Sequence, residues 1–317
     1  MSRQPGAPAL FIGDVALDEY FATDTWVMPG DKGLIETREV YVGGSIANAA
    51  RVHAGFAGSA EFVSLLNHGE LTQRLLAALA GDSVGVQHML YDGTIGDQRN
   101  LIFLVGGEHI VLTPDVDDRP MRFEPEALAS LAKPGYVYTT LNRAERLRAG
   151  DLDAAAVLRA LRAGGRKLVF DLDVDGLADG DNELLRGAHV VMMNNHGFTR
   201  SFGAEAAESA VREWMAELDI DVVLRSRAAA GVMAYTAAET LRVPGFSVPV
   251  TDVTGAGDTL GGSLVYALGA GMPLAEAVGF AVAAASRSVM HMGPNGGVAT
   301  IAEVEEFAAS FATQTAN

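Results

Sequence analysis

Residues 248–271 read VPVTDVTGAGDTLGGSLVYALGAG, and the fold can be built outward from this stretch. Residues 248–253 are extended in character, with β-branched side chains and a proline at the edge. Gly255-Ala256-Gly257 then opens a helix whose apolar positions include Leu260, Leu264, Val265 and Leu268. Glycines let the backbone turn tightly and approach a ligand with no Cβ in the way. The first amides of such a helix lack intrahelical acceptors and stand at the positive end of its dipole, which makes the turn an anion site. Asp258 is the odd member, because a carboxylate that merely touched the anion would repel it. It makes sense as a base facing an alcohol, taking the proton while the amides of Ala256, Gly257 and Asp258 stabilise charge on a transferring phosphoryl group. The bland alternative is a helix cap, which asparagine or serine would fill as well.

Upstream, short β-type runs alternate with helical patterns. Strands are expected at Ala9–Ile12, 61–66, 136–141, 167–170, Val190–Met193 and 222–224, and helices at 71–80, 153–163 and 204–218. Leu71, Leu75, Leu76 and Leu79 share one helical face. This order predicts an α/β fold, a mostly parallel sheet with helices on both faces. Residues 100–105 and 109–112 flank Gly106-Gly107, a good hairpin turn. With residues 15–39 they can form a small β flap over the sheet's edge, and an ordinary surface hairpin is the equal alternative. Past residue 256 the chain turns nearly all helical, over 256–268, 274–290 and 301–311. No repeat, low-complexity tract or interdomain linker interrupts it, so residues 1–317 are expected to form one unit.

Composition narrows the function classes. Of 317 residues, 49% are hydrophobic, ample for a large core, and 40 acidic against 23 basic residues give a formal charge of −17. So negative a surface disfavours nucleic acid and anionic membranes, while a local site can still hold a phosphorylated ligand. With no cysteine there is no disulfide and no thiolate metal site. The N-terminal residues lack the apolar core of a signal peptide, and residues 263–285 are broken by Gly269, Gly271, Pro273 and Glu276, so a cytoplasmic location is expected. The seven histidines show no metal-ligand spacing. A P-loop (G-x-x-x-x-G-K-[ST]), H-E-x-x-H and G-x-S-x-G are all absent. After Gly257 the next glycines fall at 261 and 262, late in the chain, which disfavours a dinucleotide fingerprint.

A second element, residues 42–58 (VGGSIANAARVHAGFAG), places Gly43-Gly44 before a helix of small residues with Asn48 one turn in. Asn48 can donate to and accept from sugar hydroxyls, or be satisfied locally. Together, Gly43-Gly44-x-x-x-Asn48-x-Ala50 early and Asp252-x-Thr254-Gly255-Ala256-Gly257-Asp258 late resemble the two signatures of the ribokinase-like, or PfkB, carbohydrate kinases. The similarity runs over nearly the whole chain.

The resemblance implies a Rossmann-like three-layer sandwich with a small β lid, here from segments near 15–40 and 98–113, and Mg2+-ATP phosphorylation of an alcohol on a sugar or nucleoside. Carried over by position, Asp258 is the base and Gly255, Ala256 and Gly257 the anion hole. Asp18, Gly43, Gly44 and Asn48 hold the acceptor, with Arg99 on the lid. Asn194, Ser226, Arg227, Gly231 and Thr254 fall on the nucleotide side, and no metal ligand is assigned. A homodimer through the lid is a further expectation.

Three departures lie on the nucleotide and metal side. The family's Asn-x-x-Glu becomes Asn194-Asn195-His196-Gly197, with no acid where a glutamate would help organise Mg2+ through water. Thr-x-Gly-x-x-Gly becomes Ser226-Arg227-Ala228-Ala229-Ala230-Gly231, in which Arg227 can engage a phosphate. Asp171-Leu172-Asp173 stands where many relatives have Asp-x-Asn. They favour a second reading, a family member that binds a carbohydrate or nucleoside with little catalysis.

Overall fold

The computed structural model describes residues 8–106, 108–114, 119–173 and 175–314. The central sheet begins with β1 (Ala9–Ile12), after which the chain leaves it for two lid strands, β2 (Ala16–Thr23) and β3 (Glu36–Gly43). It returns through α1 (Ser45–Gly55), β4 (Ala60–Val63), α2 (Glu70–Gly81) and the short β5 (Val84–Gly85), then leaves again for β6 (Arg99–Val105) and β7 (Glu108–Leu112). The second half adds β8 (Gly135–Thr140), α3 (Ala154–Ala163), β9 (Arg166–Asp171), β10 (Val190–Met193), α4 (Asn195–Phe202) and α5 (Glu208–Leu218). It continues with β11 (Val222–Ser226), β12 (Val232–Tyr235) and β13 (Thr240–Val243), and closes on α6 (Ala256–Gly269), α7 (Leu274–Ser288) and α8 (Ile301–Gln314).

Nine strands pair in the order β13-β12-β11-β10-β9-β8-β1-β4-β5. All neighbours are parallel except β11–β12 and β12–β13, which are antiparallel. The continuous apolar runs follow from this, since a strand covered by helices on both faces has no solvent side. Alternate residues divide between two cores. Phe11, Phe62, Tyr138 and Leu224 pack with α1, α2, α6 and α7, while Ile12, Phe170, Val191 and Val223 pack with α3, α4 and α5. Helices on both faces make the three layers expected of a ribokinase-like sandwich.

The lid is a separate four-stranded sheet ordered β3-β2-β6-β7, so the flap forms and the hairpin belongs to it. Gly106 turns with φ +57°, and Gly107 lies outside the described residues. Some boundaries differ from expectation. Residues 248–253 pair with no strand; the Thr251 and Asp252 amides donate instead to the Val289 carbonyl at the C-terminal end of α7. Strands β12 and β13, at one end of the sheet, and helix α4 carry short patterns that the periodicity does not register. Helix α5 starts at Glu208, four residues later than expected.

Candidate functional site

The parallel strands all point their carboxyl ends to one edge, where a doubly wound sheet opens its crevice. β1 delivers Asp14 just beyond Ile12, β9 ends in Asp171, β10 leads into Asn194, and β11 ends in Ser226. Over this edge α6 presents its N-terminus and the lid presents one of its faces.

Gly255 caps α6 with φ +77°, and a Cβ there would lie 2.7 Å from the Pro294 carbonyl oxygen. Only glycine adopts that conformation in so little space. The Ala256 amide donates to the Val253 carbonyl at 3.2 Å, so it is engaged and not free for an anion as expected, which leaves Gly257 and Asp258 as the first-turn amides suited to one. Asp258 does not cap its own helix. Its half-buried carboxylate reaches across to α1, where the Asn48 side-chain amide donates to Oδ2 at 2.8 Å. Burial pushes the Asp258 carboxyl up to about 7; the charges of Asp171 and Asp173 push the same way, and hydrogen bonds from Asn48 and Ser45 oppose them.

Behind Asp258, the Tyr138 hydroxyl donates to Asp171 Oδ2 at 2.7 Å, and burial raises Asp171 to about 6. The Asp173 amide donates to Asp171 Oδ1, and Asn194 Nδ2 donates to Asp173 Oδ1 at 2.8 Å. Asn194 Oδ1 meanwhile accepts from the amides of His196 and Gly197, which caps α4. A Cβ at Gly197 would collide with the Asp173 carbonyl oxygen, so the acid missing from that position has no room there.

On the lid side, Asp18 is 6% exposed, and its Oδ1 accepts from Asn100 Nδ2 at 2.7 Å. Burial raises the Asp18 carboxyl against that hydrogen bond. Gly43 must be glycine because a Cβ would collide with the Asp18 carboxylate, and Gly44 (φ +102°) starts α1 against the Asp14 carbonyl. The lid register pairs Asp18 with Asn100 and with Tyr41, and Leu17 with Arg99. Because side chains alternate along a strand, Arg99 faces away from Asp18. There it pairs with Glu19 at 3.1 Å and with Asp97 at 3.8 Å. Asn100 takes the place on the site face that sequence reasoning gave to its neighbour; only the strand pairing reveals it.

Beyond α6 lies a cavity of about 400 Å³, lined by Val232, Phe246, Val250, Leu260, Val282 and Ala285 among others, with Ala256 and Gly257 at its rim. Its apolar walls and a few hydroxyls suit a flat heteroaromatic base, with the helix start placed for the attached phosphates. Ser226 and Gly231 line it, whereas Asn194, Arg227 and Thr254 do not. The Arg227 guanidinium turns back to the Ala230 carbonyl at 3.3 Å. Arg225, which the sequence did not single out, stacks over Phe198 (4.2 Å to the ring centroid) and donates to Asn195 Oδ1.

Among the described residues no group of three or more acidic or histidine side chains closes on a point as an all-protein metal cage would. A magnesium ion needs less, since it keeps waters and takes one or two carboxylates beside nucleotide phosphates. Exposed Asp173, just beyond the end of β9, is a carboxylate of the kind that such an ion takes.

Residues 9–301 match the model of the pfkB family carbohydrate kinases. The chain is 28% identical over 291 residues to the bifunctional protein HldE of Halorhodospira halophila, covering 89% of this chain and 59% of that protein. It thus spans about three fifths of the length of the curated relatives it matches. Among solved structures, Arabidopsis thaliana ribokinase complexed with ribose and ATP superposes with a TM-score of 0.81 at 20% identity, covering 95% of this chain and 98% of that one. Xylella fastidiosa fructokinase with bound ATP gives 0.77 at 21% identity, covering 96% and 99%.

Proposed function

The chain belongs to the pfkB family of carbohydrate kinases, and from that premise we propose that it transfers the γ-phosphoryl group of ATP to a hydroxyl of a sugar or related small molecule, with Asp258 as general base. The observation that carries this reading is the position of Asp258. It stands at the start of α6, bound to Asn48 of α1, and its neighbours Ala256 and Gly257 line the apolar cavity that suits adenine.

The acceptor lies against Asp18, Gly43 and Gly44, its hydroxyls accepted by the Asp18 carboxylate. Ionised Asp258 removes the proton of the attacking hydroxyl as its oxygen bonds to the γ-phosphorus and the bond to the β-phosphate oxygen breaks, releasing ADP. The Gly257 and Asp258 amides and the helix dipole stabilise the charge on the transferring group. Ser226 and Gly231 hold the nucleotide, and Thr254 stands at the entrance to the anion turn. Asp173 would hold Mg2+, which when bound neutralises phosphate charge, with Asn194 orienting that carboxylate by donating to it. A carboxyl titrating near 7 is a base poised for neutral pH.

In this reading residues 1–317 act as one kinase unit, and ATP as donor goes with a cytoplasmic location. No helix among the described residues is long and apolar enough to cross a membrane. Val111 and Leu112 on the lid, with Trp26, Met28, Leu34 and Ile35 at its tip, are exposed, and a second copy of the chain would cover them. A Val111→Asp, Leu112→Asp variant of unchanged mass by light scattering, matching an oligomeric wild type, would remove that idea.

One observation favours the second reading, binding with little catalysis. The lost acid at Gly197 cannot be restored in place, because Asp173 fills the room. Calorimetry and ADP release, measured with Mg2+-ATP and a panel of sugars, sugar acids and nucleosides, separate the two. Acceptor-dependent ADP release supports the kinase; tight binding without it supports the alternative.

A further inference from the structure

We propose that Tyr41 is a positioning residue: through the loop at residues 293–295 it fixes the anion turn ahead of α6 against the lid. The role rests on that turn serving phosphoryl transfer. Tyr41 lies on β3 as the direct partner of Asp18, so the strand that borders the acceptor also carries this ring. The Tyr20 ring meets it nearly at right angles, with 5.6 Å between centroids, and restrains it on the lid. The Tyr41 ring also rests on the bare backbone of Gly293, where a Cβ would lie 3.3 Å from Tyr41 Cε1. Gly293 has φ +83°, a conformation that suits glycine.

Each residue of the loop then makes its own connection. The Gly293 amide donates to Asp252 Oδ2 at 2.9 Å, and Asp252 Oδ1 accepts from the Thr254 amide at 2.9 Å. The Pro294 carbonyl oxygen stands 2.7 Å from the point where a Cβ of Gly255 would be, so it moulds the left-handed start of α6. Asn295 Oδ1 accepts from Arg51 Nη1 at 2.5 Å, and the same nitrogen donates to the Val42 carbonyl at 2.9 Å. The Arg51 side chain has little freedom, being 11% exposed and paired through Nε with Asp82. Two neighbouring lid residues, Tyr41 and Val42, are thus joined to the loop by separate routes, and the loop is joined to the turn by two more.

The turn depends on such a brace. Its approach, residues 248–253, pairs with no strand, and the Val289 carbonyl holds the Thr251 and Asp252 amides. Gly293 and Pro294 carry the restraint onward to Thr254 and Gly255. A displacement of about 1 Å at the amides of Gly257 and Asp258 costs on the order of a hundredfold in rate, because charge stabilisation depends on where the donors point. Seating the turn on the strand that borders the acceptor keeps the attacking hydroxyl and the transferring group in one frame. A ring that served packing alone would stabilise the lid without setting the turn.

The test measures kcat and acceptor KM of the full chain with Mg2+-ATP and the best acceptor from the panel. Tyr41→Leu removes the ring, Tyr41→Phe keeps the ring without its hydroxyl, and Asp252→Asn weakens the link on the turn's side. The kcat of Tyr41→Leu is expected to fall about ten- to a hundredfold with acceptor KM within about threefold, while Tyr41→Phe stays within about twofold of wild type. The double variant Tyr41→Leu, Asp252→Asn should lose little more than the slower single variant, because both cut one path. Should Tyr41→Leu fail to fold, Gly293→Ala carries the test from the loop side by pushing against the ring, with the same fall in kcat at steady KM. Wild-type kcat in Tyr41→Leu, or in Gly293→Ala where it stands in, overturns the proposal. So does a raised acceptor KM at unchanged kcat, which makes Tyr41 an acceptor contact, or a double variant whose losses multiply. A Tyr41→Phe as slow as Tyr41→Leu overturns it too, since the contact with Gly293 is made by the ring. The kinase reading fails separately. A wild type without acceptor-dependent ADP release removes that reading and this role with it, whereas an active wild type with an unaffected Tyr41→Leu removes only the role.

Discussion

The Asn48 side chain donates to Asp258 Oδ2 at 2.8 Å across 210 positions of sequence, joining the starts of α1 and α6. This one bond ties the two glycine-rich elements into a single site. Each signature therefore has to be read with the other in place.

Asp258→Asn keeps the shape of the side chain and removes its basicity. Turnover is expected to fall by about 10²–10⁴-fold while ATP affinity stays within a few-fold. In the wild type the ionised form is the active one, so kcat/KM should drop about tenfold per pH unit below about 7 and level off above it. Stopped assays from pH 5 to 9 check both.

The same residue carries a stability cost whose sign is fixed. Its folded-state value, about 7, exceeds the ordinary 3.8, so between those limits the folded chain binds more protons than the unfolded chain. Stability from this group is full below about 3.8 and is lost as pH rises through 7. Asp258→Asn should therefore raise stability at pH 8 by on the order of 2 kcal/mol, and much less near pH 4. Urea unfolding at the two pH values measures the difference; an equal gain at both would contradict it.

Gly255→Ala forces a left-handed φ of +77° on a residue with a Cβ, close to the Pro294 carbonyl. A loss of about 1–2 kcal/mol of stability is expected, with a larger relative fall in kcat because the first amides of α6 tilt away. Unfolding curves and steady-state kinetics on the same preparation would show it.

Arg99 and Asn100 are neighbours on opposite faces of the lid. Asn100→Ala releases Asp18 from its partner and should raise acceptor KM about five- to thirtyfold. Arg99→Ala removes an exposed pair with Glu19 and should change KM less than about threefold. The reverse pattern in acceptor titrations would put the lid register in question.

The sequence by itself determined a good deal of this protein. Alternating apolar runs and helical periods are local properties of the chain, so the mostly parallel sheet, its helices and the flap over residues 15–40 and 98–113 were legible. Gly255–Asp258 and Gly43–Asn48 were legible too, because an anion turn at a helix start needs only neighbouring residues. Tertiary structure alone decided which side chains meet. Asp18 finds Asn100 and not Arg99 because strand pairing sets the face each residue shows. Asp171 finds Tyr138, and the cavity assembles from residues near 230, 250 and 285, because parallel strands and packed helices join positions far apart in the chain. Arg227 turns to its own loop while Arg225 stacks on Phe198, a choice made by α4 packing on β11. Local chemistry can be read from adjacent residues; the long-range contacts that complete the site form only when the sheet brings its strand ends to one edge.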